Sequence, residues 1–348
     1  MPQFPSLHVV DPSSHTNISR RGFLKAAGTA TALAAAIPSQ MIAAAEPVVS
    51  KPTSESLVKL LHDTLTAEQK KQVCFGWSHV AEESGLLRTR IAANWHVTRP
   101  VIDSDFYTAD QQKLIRTIFV GLIQPEWVAR IDKQLQDDEG GFGKQSIAIF
   151  GEPGSAKFEF ILTGRHITLR CDGNSAEHVA FGGPIVYGHA ASGFNEKPGH
   201  PNNIFWPQAV AANGLVKMLD GKQRAIAVIK TPPRENAVAF QGRTAALPGI
   251  AVKDLSADQK THAQTVLAKL IEPYRQSDRD RVAACLKAQG GLDDCHLAFY
   301  EKGQLIAGEY DIWRMEGPAF VWHFRGLPHV HTWVHVADDP SVPLNAEA

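Results

Sequence analysis

The sequence has almost no net charge and, beyond its N-terminal segment, no long apolar run. Each of these absences excludes a class of protein. Its 35 Lys and Arg residues balance 36 Asp and Glu residues, and they form no basic block that would attract nucleic acid or an anionic membrane surface. Beyond residue 45, no apolar stretch approaches the about 18 residues that a spanning helix needs. We therefore expect no nucleic-acid partner and no stable membrane anchor.

Cysteine is also scarce. None of the four cysteines forms a CxxC pair, which argues against a zinc ribbon or a thioredoxin-like site. Cys285 and Cys295 are close enough in sequence to form a disulfide in an oxidising compartment, and the alternative is that all four are buried thiols. The remaining two are Cys74 and Cys171.

Several common catalytic signatures are missing. There is no GxSxG elbow, no HExxH and no GxGxxG after a strand. The glycine-rich stretch 139–144 lacks the first glycine and the final Ser or Thr of a phosphate loop. These absences remove the commonest hydrolase, zincin and dinucleotide-binding signatures.

The N-terminal segment has the features of an export signal. Arg20 and Arg21 precede Phe-Leu-Lys and an Ala-rich run, and Ala43-Ala44-Ala45 provides small residues for cleavage. The paired arginines resemble a twin-arginine signal, which implies passage of a folded protein through the twin-arginine machinery to the periplasm or outside. An ordinary secretion signal is the alternative. We expect a signal peptide at 1–45 and a mature domain at 46–348.

Helix starts are marked by capping boxes, in which Thr or Ser is followed three residues later by Gln. They lie at Thr66, Thr108 and Ser256. Their unequal spacing argues against a repeat protein. Apolar residues at helical spacing follow the second and third boxes, and they predict helical blocks in the N-terminal third and before residue 290.

Between and after these blocks the apolar period changes to two. Short strands are predicted at 146–150, 158–162, 167–171 and 178–181, and a final block of strands at 297–336. Short turns between them predict antiparallel pairing. The pattern indicates an α+β fold with helices packed on one side of antiparallel sheets, as a single large domain or two intimately packed halves. The loop-rich stretch 188–207 is long enough to be functional.

A histidine-rich hairpin near the C-terminus is the main candidate site. If Gly326-Leu327-Pro328 is a three-residue connection, His323 faces His331 across the hairpin, and His329 lies beside them. Three imidazoles would then suit copper, iron or zinc. His335 lies farther along. The alternative is a strand that carries half-exposed histidines, and a change of register would move His323 away.

A second candidate lies at a predicted strand opening. Arg165 and His166 follow a Thr-Gly turn, and His166 could add a metal ligand or act as acid or base. We take both as candidate catalytic residues. His189 and His200, in the long loop, are weaker candidates.

Three segments together resemble a bacterial family named domain of unknown function 3500. They are IAIFGEPGSAKFEFILTGRHITLRCDG (147–173), FGGPIVYG (181–188) and EGPAFVWHFRGLPHVHTW (316–333). The resemblance implies that His166, His329 and His331 match family histidines, whereas many members have Glu where this chain has His323. It implies a shared fold and no particular chemistry.

The leading functional hypothesis is an exported metal-dependent enzyme that acts on a small molecule bound under the 188–207 loop. In it, His323, His329 and His331, with His166, hold one copper, iron or zinc ion. One alternative is a non-catalytic periplasmic protein that binds metal or a small ligand. Another is a metal-free hydrolase in which His166 and a carboxylate supply the base.

Overall fold

A computed structural model describes residues 52–306 and 308–346. The expected signal peptide lies outside these residues. None of the helices in the described part of the chain is long and apolar enough to cross a membrane. The α-helices are α1 (Ser54–Thr64), α2 (Ala67–Val73), α3 (Ala109–Gly121), α4 (Pro125–Glu139), α5 (Trp206–Met218), α6 (Gly221–Ala227), α7 (Ala257–Ile271) and α8 (Gln276–Ala288).

Most strands join one large sheet of order β1-β5-β6-β7-β8-β16-β15-β14-β11-β10, with β9 also paired to β11. Its neighbours are antiparallel except for β1 with β5 and β9 with β11. The strands are β1 (Cys74–Phe75), β2 (Val80–Ala81), β3 (Gly85–Leu86), β4 (Arg90–Ile91), β5 (Ser146–Gly151), β6 (Phe158–Gly164), β7 (Ile167–Cys171), β8 (Ile185–His189), β9 (Val228–Ile229), β10 (Ile250–Ala251), β11 (His296–Tyr300), β12 (Gln304–Ile306), β13 (Glu309–Tyr310), β14 (Ile312–Gly317), β15 (Phe320–Arg325), β16 (Val330–Val336) and β17 (Asn345–Ala346).

Helices cover one face of the sheet, and this confirms the predicted α+β class. Buried residues of the helices, such as Leu61, Ile118 and Val266, share one core with sheet residues such as Phe160 and Trp322. Irregular segments cover the other face, where smaller apolar clusters form. Burial of the helices' apolar stripes against the sheet is the main force that holds the layers together.

The predicted capping boxes begin α2, α3 and α7, and a fourth begins α6 at Asp220. In each box the N-cap side chain accepts a hydrogen bond from the backbone N–H of the glutamine, and the side-chain oxygen of the glutamine accepts one from the backbone N–H of the N-cap residue. The glutamines also join neighbouring helices, since Gln69 donates to Gln111 at 2.9 Å and Gln223 donates to Gln259 at 2.9 Å.

These paired glutamines mark two halves with the same order of elements. In the first half, α1, α2 and β1 precede α3, α4 and β5 to β8. In the second, α5, α6 and β9 precede α7, α8 and then β11, β14, β15 and β16. β8 and β16 join the halves at the centre of the sheet. The fold is therefore a single domain built from two intimately packed halves that share one sheet, although no fixed sequence period marks the repetition.

Outside the histidine hairpin, the structure departs from the sequence-based interpretation in three places. The strand predicted at 178–181 is wrong: these residues form turns, with one isolated bridge from Val179 to Ala337. Helices α5 and α6 had no sequence prediction. Cys285 and Cys295 are both free, so the structure has no disulfide between them; these two and Cys171 are buried thiols, whereas Cys74 is partly exposed.

Candidate metal centre

His166 lies in the tight turn between β6 and β7, at the end of the central strands. It has a left-handed backbone with φ of 59°, a conformation that few residues other than glycine adopt. Two backbone hydrogen bonds hold it: its N–H donates to Ala93 O at 2.9 Å, and its carbonyl accepts from Gly188 N at 3.0 Å. The surrounding structure therefore fixes an unfavourable backbone, as is common at functional sites.

His329 and His331 enter from the start of β16. Because alternate residues of a strand share a face, both imidazoles point to the same side. β8 lies directly alongside, with Gly188 paired to His331. A Cβ atom on Gly188 would lie only 2.2 Å from Val330 O and 3.3 Å from the His166 ring, so only glycine permits this close approach.

The three imidazoles converge through the same ring atom. The Nε2 atom of His331 lies 3.0 Å from Nε2 of His329 and 3.0 Å from Nε2 of His166. The candidate ligand atoms of the three residues lie within 4.8 Å of one another. His166 and His329 are each 3% exposed. Ligands about 2 Å from a shared ion can occupy this arrangement after small side-chain adjustments.

Each opposite ring nitrogen faces an acceptor. His329 Nδ1–H donates to the carbonyl of Phe194 at 2.9 Å. His331 Nδ1 lies 3.3 Å from both carboxylate oxygens of Glu235. His166 Nδ1 lies 3.0 Å from Asp138 Oδ2, at an angle that falls short of a full hydrogen bond. Acceptors at all three Nδ1 atoms favour the tautomer whose Nε2 lone pair points into the cluster.

Burial favours the neutral form of His329 and His331. Burial, together with the charge of Arg325, lowers the pKa of His331 to about 3 and outweighs the opposing hydrogen bond to Glu235. Burial also lowers the pKa of His329. Burial alone would raise the pKa of Glu235, but contacts with His331 and Arg325 prevail and lower it to about 2. Near neutral pH, His331 is thus unprotonated beside the ionised carboxylate of Glu235.

The comparisons with known proteins place the chain in one family. The model of the family described as "Protein of unknown function (DUF3500)" matches residues 49–338. The chain belongs to this DUF3500 family. No curated protein and no solved structure matches at a significant level.

The structure of this DUF3500 chain brings together His166, His329 and His331, three of the four predicted metal ligands. The inclusion of His323 is wrong, because the hairpin register differs by two residues from the predicted one. His331 pairs with Arg325, and His323 pairs with Trp333. His323 is buried farther along the sheet, where its Nδ1 accepts a hydrogen bond from Arg314 at 3.3 Å.

His335 and His189 lie outside the cluster. His335 stacks on Phe240, with ring centroids 3.8 Å apart. His189 lies behind the site, where its Nε2 is 2.9 Å from Asp137. Arg165, the other predicted catalytic residue, lies at the rim, with its guanidinium carbon 5.7 Å from the ring centre of Phe194.

Sequence reasoning missed the residues that orient the imidazoles: Asp138, Glu235 and the Phe194 carbonyl. The sequence did contain one signal for Asp138. Helix α4 ends in Asp137, Asp138 and Glu139, although negative charge at a helix C-terminus opposes the helix dipole. Such a run indicates partners elsewhere in the fold, and each acid has one here, with Glu139 accepting from the backbone N–H of Arg165 at 3.0 Å.

Proposed function

We propose that this protein is an exported enzyme that uses one transition metal ion, held by His166, His329 and His331, to act on a small molecule. The convergence of three Nε2 atoms, with every Nδ1 facing an acceptor, carries the proposal. Three lone pairs directed at one another repel unless a cation or proton lies between them. Burial lowers the pKa of both His329 and His331, which favours the unprotonated form that binds a metal cation.

The chemistry of the ligands narrows the choice of metal. All three candidate ligands are imidazoles, and the nearby carboxylates of Asp138 and Glu235 contact the Nδ1 side of the rings, away from the proposed metal position. Three histidines with one free position are typical of catalytic zinc, and imidazole also suits copper. Non-haem iron more often takes two histidines and a carboxylate. We therefore place zinc and copper ahead of iron.

The protein side chains would have distinct tasks in this enzyme. Asp138, Glu235 and the Phe194 carbonyl orient the imidazoles, and three protein ligands leave a position for substrate or water. The bound metal would supply a Lewis acid or a redox centre. The loop from Ala190 to Asn203 borders the site, and Glu196 ties it down by accepting from Ser192 N at 3.0 Å and from Asn203 Nδ2 at 2.8 Å.

Export supports a tightly held cofactor. The twin-arginine route carries folded proteins, so a protein with Arg20 and Arg21 in such a signal could take up its metal in the cytoplasm. Burial of His166 and His329 is consistent with metal uptake before export, because a buried ion is released slowly. We propose that the mature protein acts in the periplasm or outside the cell.

Metal analysis tests the proposal most directly. Protein purified after export by its own signal should contain about one equivalent of zinc or copper by mass spectrometry, because three preorganised imidazoles bind such ions tightly. The double variant His329→Ala/His331→Ala should lose it. The control His323→Gln should retain it, since His323 lies outside the cluster. No stoichiometric metal in the exported protein, or full retention in the double variant, contradicts the proposal.

Two alternative functions predict different experimental results. A non-catalytic metal-binding or delivery protein would take up metal reversibly at an exposed site. His166 and His329 are buried, which argues against this alternative. A metal-free hydrolase finds support in the Asp138 carboxylate beside His166, an arrangement that suits a general base. Activity that survives complete removal of metal would favour the hydrolase.

A further inference from the structure

A cavity separate from the histidine cluster lies over β11 and β14, on the face of the sheet that the irregular segments cover. Its volume is about 420 Å³, which is within the range of about 300–1,000 Å³ that is usual for small-molecule sites. Tyr300, Arg314 and Glu316 form its floor, and residues between 229 and 248 form its walls. None of the residues that line it belongs to the candidate metal centre.

The register of the two strands brings the polar side chains of the floor together. Arg314 pairs with Ala298 across β14 and β11. Because alternate residues of a strand share a face, Tyr300 and Glu316 lie on the same side of the sheet as Arg314. Tyr300 is 1% exposed, Arg314 is 4% exposed and Glu316 is 3% exposed. Three buried polar side chains therefore adjoin one cavity.

Much of the hydrogen-bonding capacity of this floor is unused. The hydroxyl group of Tyr300 has no hydrogen-bond partner among the described residues. The carboxylate of Glu316 lies 3.6 Å from Nη1 of Arg314, which is longer than a direct hydrogen bond. Buried polar groups in native proteins nearly always have a partner. The hydroxyl and the carboxylate therefore indicate that a polar molecule occupies the cavity.

The cavity is held open by bonds within the protein. Nε of Arg314 donates to Nδ1 of His323 at 3.3 Å, and Nη2 donates to the carbonyl of Ala237, a wall residue, at 2.9 Å. These bonds fix the guanidinium group to the wall and leave Nη1 for Glu316 and a ligand. Burial raises the pKa of Tyr300 to about 12, so its hydroxyl group keeps its proton near neutral pH and can donate.

We propose that this cavity binds a small neutral molecule with adjacent hydroxyl groups, such as a sugar or a cyclic polyol. Among the described residues that line it, only Arg314 and Glu316 carry charge, and their opposite charges disfavour an ion as ligand. A guanidinium group only donates hydrogen bonds and a carboxylate only accepts them, whereas a hydroxyl group does both. Two adjacent hydroxyl groups can therefore accept from Arg314 and Tyr300 and donate to Glu316, while the prolines of the wall contact the C–H groups.

Isothermal titration calorimetry of the mature protein with glucose, galactose, mannose and myo-inositol tests the inference, because these molecules differ in the arrangement of adjacent hydroxyl groups. We expect at least one of them to bind with a dissociation constant in the millimolar range or lower. Tyr300→Phe should raise that constant about threefold to tenfold, the effect of one lost hydrogen bond. Glu316→Gln should raise it about tenfold or more, because the lost acceptor is charged.

Tyr107→Phe is the matched control. It removes the hydroxyl group of another buried tyrosine, which lies outside the cavity and also has no partner among the described residues. Its affinity for the ligand should equal that of wild type. Thermal unfolding without ligand separates binding from a structural role, because loss of an unpartnered hydroxyl group should leave the Tm of Tyr300→Phe unchanged or raise it.

Three results would overturn the inference. The first is that none of the four molecules binds, and the second is that Tyr300→Phe and Glu316→Gln bind the ligand as tightly as wild type does. The third is that acetamide, a neutral amide, or methylammonium, a cation, binds more tightly than all four. Each result leaves the proposed metal site unaffected, because Tyr300 and Glu316 contact none of the three clustered histidines.

Discussion

Asp138 Oδ2 lies 3.0 Å from Nδ1 of His166, and the neighbouring Asp137 Oδ2 lies 2.9 Å from Nε2 of His189. Two adjacent aspartates at the end of α4 therefore each hold a histidine, but only one of these histidines belongs to the candidate metal centre. Asp138 is itself fixed, since Oδ1 accepts from Ala190 N at 2.7 Å and Oδ2 accepts from Gln134 at 2.8 Å. Substitution of each aspartate in turn therefore compares a carboxylate that supports a candidate metal ligand with a neighbouring one that does not.

Asp138→Asn should weaken metal binding by about 10- to 100-fold, the usual effect of losing a carboxylate behind a histidine ligand. If the amide oxygen keeps the hydrogen bond from Ala190, the amide nitrogen faces His166 Nδ1, where it cannot accept a hydrogen bond. The His166 ring must then turn or change tautomer. Competition with a chromophoric chelator measures the affinity.

Asp137→Asn is the matched control, because it makes the same chemical change one residue away, at a carboxylate that contacts His189 and Lys133 and none of the three clustered histidines. We expect its metal affinity to stay within about threefold of wild type, since its partner makes no contact with the cluster. Equal losses in the two variants would mean that Asp138 acts through general stability of α4 and has no specific effect on His166.

Metal removal should lower the stability of the whole domain. His166 comes from the first half of the fold, and His329 and His331 come from the second, so a shared ion links the halves. At a free metal concentration of 100 times the dissociation constant, binding adds about 2.7 kcal/mol to the free energy of unfolding. Differential scanning calorimetry with and without chelator should show a fall of several degrees in Tm. The same treatment should leave the Tm of His329→Ala/His331→Ala unchanged.

Much of the fold could be predicted from local signals. The capping boxes at Thr66, Thr108 and Ser256 were confirmed, because cap chemistry involves residues only three positions apart. The repeated order of elements in the two halves was not visible in the sequence, because insertions such as β12 and β13 make the spacing of equivalent elements unequal. Helix α5 was missed because it is apolar around most of its circumference and lacks an amphipathic stripe.

The part of the candidate site that depends on neighbouring residues was also predicted. Parity along β16 placed His329 and His331 on one side without knowledge of the hairpin register. The membership of His323 depended on that register, which the turn sets, and the assumed three-residue connection was two residues too short, because Arg325 pairs with His331 and not with His329. Asp138 and Glu235 reach the cluster across 28 and 96 residues of sequence, and no local pattern specifies such contacts.

Asp311 should make stability depend on pH. Burial raises the pKa of its carboxyl group to about 6, against about 3.9 in an unfolded chain. The folded state therefore binds the proton more tightly, and the resulting stabilisation is complete below about pH 4 and lost as pH rises through about 6. Asp311→Asn should raise the free energy of unfolding at pH 7.5, relative to wild type, by about 1 to 3 kcal/mol more than at pH 4.5.

Urea unfolding at the two pH values measures this difference. The substitution can preserve the hydrogen bond that Asp311 Oδ2 accepts from Leu327 N at 2.8 Å, because the amide oxygen can take over that role. Asp254→Asn removes one exposed negative charge and serves as the control. A difference between wild type and Asp311→Asn that is equal at both pH values would show that the buried charge does not govern this dependence.

Gly188→Ala should damage both the fold and the metal centre. The added methyl group would lie 2.2 Å from Val330 O, a backbone atom of β16 that can move only if the two central strands separate. Overpacking of this kind costs about 1 to 3 kcal/mol, and here it also displaces His331, the residue paired with Gly188. Gly221→Ala is the control, because no atom lies within 4 Å of the added carbon at the start of α6, and it should not destabilise the protein.

The free energy of unfolding, measured by chemical denaturation, and the metal content should both fall for Gly188→Ala. Unchanged metal content in a destabilised Gly188→Ala protein would show that the contact between β8 and β16 supports the sheet without positioning the imidazoles.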